Sequence, residues 1–129
     1  MNEGMKDGTL TNLEDQFSSK DLFDAFKVQL ARDFEQGNFR SDFVATLEPD
    51  FNSIRKKIEF ELQGTEVNNG FRLMPLLYRI DISEAQLKKY LEVDPSKNYL
   101  EAISELIIKR VLQKVVIKRY YSSNEEKPK

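Results

Sequence analysis

The residue types that most often carry chemistry are missing from this 129-residue chain, which has no histidine and no cysteine. Without histidine it lacks the commonest general base near neutral pH and the commonest zinc ligand. Without cysteine it can have no thiol nucleophile, disulfide, zinc ribbon or iron–sulfur site. Carboxylates, lysines, arginines and tyrosines remain, and three groupings of them stand out. Glu59 and Glu61 would share a face only on a strand, where they could hold a hard cation; on a helix, residues two apart do not face each other. No further oxygen ligands are recognisable nearby, so a solvated face is the expectation.

The second grouping is Tyr78-Arg79-Ile80-Asp81, the densest polar–aromatic cluster in the chain. The planar fork of Arg79 suits a carboxylate or a phosphate. The plainer expectation is that Arg79 pairs with a local acid and joins two helices. The third grouping is basic: Lys109, Arg110, Lys114, Lys118 and Arg119 lie between Leu106 and Tyr121 with no acidic residue among them. With Tyr120 and Tyr121 as stacking surfaces, this Lys109–Arg119 segment is where a nucleic acid would bind. A net charge of −2 and a pI near 5.3 count against that alternative. The charge is also uneven, with five basic and eleven acidic residues up to Asp50, and fifteen basic and eleven acidic after it. Five glycines are too few and too scattered for a phosphate-cradling loop. No catalytic residue, metal ligand or cofactor site emerges, so the expectation is a protein that is not an enzyme and carries no cofactor.

The elements that would position these residues are helical. Ser18 with Asp21 forms a start signal, and Phe17 is spaced to staple onto Leu22. Leu22, Phe23, Phe26, Leu30 and Phe34 then follow at helical spacing, up to a stop at Gly37-Asn38. Phe43, Leu47, Phe51, Ile54, Ile58 and Leu62 keep that period through Pro49. Proline costs about 3 kcal/mol inside a helix. A short helix should therefore end there, and a new one should begin with Pro49 in its first turn and finish by Gly64. A short helix is expected from about Phe71 to Asp81. A second starts at the Ser83/Gln86 capping box, and Asp94-Pro95-Ser96 precedes a last helix reaching Tyr121. Lys57–Leu62 and Leu76–Ile82 also alternate, so an α+β fold with one β-hairpin from these two segments is the alternative. The long spacer and Pro75 weigh against it. The fold class expected is all-α, a small bundle of four to six helices with a long C-terminal helix. One domain should span residues 17–121, with flexible tails at 1–16 and 122–129.

The last helix changes face. Tyr99, Leu100, Ile103, Leu106 and Ile107 line one side, whereas Ile108, Val111, Leu112, Val115 and Val116 line another. A straight helix on one surface keeps its apolar stripe in register apart from a slow drift. Either the helix is central and touched by different neighbours along its length, or it breaks midway, or its second half overhangs and docks on another chain. The last option makes Val111, Leu112, Val115, Val116 and Tyr120 the candidate interaction surface. The partner would be another protein or a second copy of the chain. No apolar run is long enough to span a bilayer, so no membrane contact is expected and a cytoplasmic location follows by default.

Overall fold

The apolar stripe from Leu22 to Phe34 forms α1 (Lys20–Gln36) in the computed structural model, which describes residue 17, residues 19–65 and residues 72–126, with side chains to 121. Ser18 lies outside the described residues. Its neighbour Ser19 is the cap, its hydroxyl accepting from the Leu22 amide at 3.4 Å. Phe17 is buried in the core, and Leu22, its expected staple partner, packs half-buried against that same core. Phe17 packs edge-on against Phe23 and Phe26, at 5.8 and 5.1 Å between ring centroids, because those rings lie on the buried side of α1.

The end of α1 is as expected, with the roles of Gly37 and Asn38 divided. Asn38 takes the left-handed conformation, at φ 70°. Its amide and that of Phe39 donate back to Glu35 and Phe34 at 3.1 and 2.8 Å, closing the last turn. Gly37 is needed for space: a Cβ there would sit 2.7 Å from the Leu76 Cα on a neighbouring helix.

A five-residue 3-10 turn (Asp42–Thr46) follows, then α2 (Phe51–Glu61). Pro49 stands before this helix, not in its first turn. Asp50 intervenes as the cap, with its carboxylate accepting from the Ser53 amide at 2.8 Å. Gly64, at φ 86°, lies in the turn that leaves α2. The hairpin alternative fails because both of its segments are helical. Ile54, Ile58 and Leu62 are buried four residues apart, and Phe60, which strand alternation would have placed with them, faces solvent.

Pro75 sits in the first turn of α3 (Met74–Ile80), where its missing amide is harmless. Asp81 ends α3 in the left-handed region at φ 72°. Ser83 and Gln86 form the full capping box of α4 (Glu84–Val93). Asn98 caps α5 (Tyr99–Glu126), accepting from the Glu101 amide at 2.8 Å. Thus α5 runs past Tyr121 to Glu126, where the sequence suggests a tail from Ser122 onward. The first residue unable to continue a helix is Pro128. Residues 1–16 and 127–129 lie outside the described residues.

Five α-helices and no strand are present among the described residues, an all-α bundle organised around α5. All four shorter helices pack on α5. Contacts to α2 and α4 involve Glu101, Glu105 and Lys109 along its first half. Those to α1 and to the end of α3 involve Arg110, Lys114 and Lys118 further along it. This accounts for the change of face: Ile103, Ile107, Ile108, Val111 and Leu112 are all buried, against different neighbours. No described helix is long and apolar enough to cross a membrane.

Candidate protein-interaction surface

The three groupings of polar residues end up on different parts of the bundle. Glu59 pairs with Arg55 one turn earlier on α2, and Arg55 also lies 3.8 Å from Glu101 on α5. No group of acidic residues among the described residues could hold a metal ion. Glu59 is therefore part of an ion-pair layer between α2 and α5, which Glu61 does not share.

The cluster from Tyr78 to Asp81 is split by the turn of α3. Ile80 is buried and Tyr78 is 88% exposed. Asp81 accepts from Arg110 at 2.7 Å. Arg79 approaches Asp33 on α1 at 3.8 Å, so it does join two helices through a carboxylate. Beside Tyr78 lies an open depression of about 440 Å³, lined by Leu77, Asp81, Ile82 and Ser83.

Asp33 anchors the network that sequence reading missed. It is fully buried, and its carboxylate accepts from Gln29 at 3.0 Å and from Lys114 at 2.9 Å. A buried charge is tolerated only when paired and hydrogen-bonded. Asp33 has two cations and an amide to meet that requirement. Lys118 reaches the Gln29 side-chain carbonyl at 3.5 Å and so extends the network one turn along α5. The available signal was the position of Asp33, three residues after Leu30 and seven after Phe26 on the apolar side of α1.

A second network lies on the opposite side of α5. The Tyr90 hydroxyl donates to Glu105, and Lys109 donates to that hydroxyl at 3.2 Å while its ammonium sits 4.9 Å from the ring centroid. Lys97 pairs with Glu105 at 3.2 Å. Burial, and then the carboxylate of Glu105, push the phenol of Tyr90 well above its ordinary value.

The basic segment thus spends most of its charge inside the molecule. Lys109, Arg110 and Lys114 engage Tyr90, Asp81 and Asp33, which leaves Lys118 and Arg119 as its outward cations. The expected interaction surface needs a correction on similar grounds. Val111, Leu112 and Val115 are covered by the chain's own helices, and Val116 is partly covered. They complete the core and are not an overhanging stripe. Tyr120 is exposed as expected.

The overhang exists, but it begins two turns later. Every side chain from Ile117 to Tyr121 is exposed, including Ile117 at 45%, Tyr120 at 61% and Tyr121 at 60%. The two tyrosines meet edge to face with ring centroids 5.6 Å apart. At about 100° per residue, Ile117, Tyr121, Lys114 and Lys118 follow one another around roughly a third of the helix circumference. This face combines apolar area with cations that the Asp33 network holds in place. Compared with protein-family models, curated proteins and solved structures, the chain matches none at a significant level.

Proposed function

We propose that this chain is a small non-enzymatic binding module that docks another protein on the projecting end of α5, through Ile117, Tyr120 and Tyr121. The observation that carries this reading is the run of five consecutive exposed residues at that end, three of them large and apolar or aromatic. Tyrosines are favoured at interfaces because they offer a large amphipathic area at low conformational cost. The absence of histidine and cysteine and the partnered state of Glu59, Glu105 and Tyr90 support the non-enzymatic part of the reading. A cytoplasmic location is part of the proposal. Binding of nucleic acid is disfavoured because four of the five basic residues in Lys109–Arg119 already have internal partners.

A photo-crosslinking amino acid placed at position 121, with one at position 74 on α3 as the control, tests this in the producing cell. Both sites are exposed, so neither replacement disturbs the core. The expected result is discrete protein adducts from position 121 only, lost when Ile117→Asp is added. Equal adduct patterns from both positions, or none from position 121, would overturn the proposal.

A further inference from the structure

The charges beside the exposed apolar residues define what kind of partner fits. Arg79 of α3 and Lys114 and Lys118 of α5 converge on a single carboxylate, Asp33, directly or through Gln29. Three cations facing one anion leave a surplus of two positive charges there. The neighbouring Arg110–Asp81 pair is neutral and does not reduce that surplus. The cations are also restrained. Lys114 is held at 2.9 Å by a carboxylate that cannot move into solvent, and Lys118 rests on the amide bonded to that carboxylate. Arg79 presents only its Nε toward Asp33, at 3.8 Å, and is about half-exposed. No further partner of its guanidinium is present among the described residues. Its two terminal nitrogens can therefore form the bidentate fork that suits a carboxylate.

From this arrangement we infer that the α5 face recognises an acidic amphipathic segment of a partner protein, with Arg79 and Lys118 taking its carboxylates while Ile117 and Tyr121 cover its apolar residues. The inference rests on the docking surface proposed above and specifies its partner. An amphipathic helix laid in register meets alternating apolar and charged contacts every three or four residues. Lys114, Ile117, Lys118 and Tyr121 repeat at that spacing. Charge complementarity also argues against a second copy docking face to face, because Lys118 and Arg119 of each copy would meet those of the other. Nucleic acid is disfavoured because a surplus of two charges releases few counterions.

Two synthetic helical peptides with the same leucine and phenylalanine positions, one filled in with glutamate and one with lysine, serve as probes against the full chain. Fluorescence anisotropy is read at low and at physiological salt. The expected result is binding of the glutamate peptide about tenfold tighter than the lysine peptide, weakened severalfold by salt. Lys118→Gln and Arg79→Gln together should remove that preference, and Lys118→Gln alone, at an exposed site, should reduce it without affecting folding. Equal binding of both peptides, lost on Ile117→Asp, would overturn the acidic partner and leave the docking face standing. Binding of neither peptide would overturn both. A glutamate preference unchanged in the Lys118→Gln variant would overturn the assignment of these cations. Concentration-dependent sedimentation of the full chain that is lost on Ile117→Asp would assign the face to a second copy instead.

Discussion

Asp33, fully buried, and Tyr90, half-buried, show how this bundle accommodates polar groups by giving them charged partners. Asp33 is enclosed, while Lys114, its closest cation, keeps 28% of its side-chain surface. Removing the lysine strands a buried carboxylate with Gln29 and a more distant arginine. Removing the carboxylate leaves cations that can turn to water. Lys114→Met should therefore cost about 2–4 kcal/mol, and adding Asp33→Asn to that variant should restore much of the loss. Urea unfolding of both single variants and the double variant would check this. Tyr90 makes a prediction about pH. Its folded pKa is raised above the ordinary value of 10.0, so both folded and unfolded states keep the proton below that pH. As pH rises past 10, the unfolded chain loses its proton first, and stability falls. Tyr90→Phe should therefore show a shallower loss of stability between pH 10 and 11 than the parent chain in chemical denaturation at stepped pH.

At the scale of elements, legibility followed the range of the interactions. The capping box at Ser83/Gln86 and the stop at Gly37-Asn38 depend on neighbours in sequence, and both could be read there, whereas α3 begins at Met74 with Pro75 in its first turn and not near Phe71. The cap of α1 was misplaced by one residue because Ser18 and Ser19 are chemically equivalent candidates. The role of Gly37 was only partly readable, since what requires a glycine is the approach of Leu76 from another helix. Asp33 was not readable as an anchor because Lys114 is 81 residues away. Two variants test these assignments by thermal unfolding. Gly37→Ala should cost about 1–3 kcal/mol by forcing α1 and α3 apart. Ser83→Ala should cost about 1 kcal/mol by opening the start of α4.

At the scale of the whole molecule, the exposed run on α5 lies beyond the turns that its apolar pattern singled out. The change of apolar face along α5 suggested either a central helix or an overhanging one, and α5 is both in turn. Val115 belongs to the central part and Ile117 to the projecting part, only two residues apart. Placing the boundary between them needed the positions of α1 and α3, which no local pattern encodes. Val115→Asp should therefore unfold the protein or cost several kcal/mol, whereas Ile117→Asp should change the melting temperature little. Melting curves followed by circular dichroism would separate the two. A single helix of 28 residues, about 42 Å long, also carries a built-in gauge of its own coverage. Amide hydrogens near Ile107 should exchange with deuterium only when the bundle opens globally, while those beyond Tyr121 should exchange through fraying of the helix end. Where protection fades along the helix marks the edge of the fold in solution, and a bound partner would push that edge toward the C-terminus.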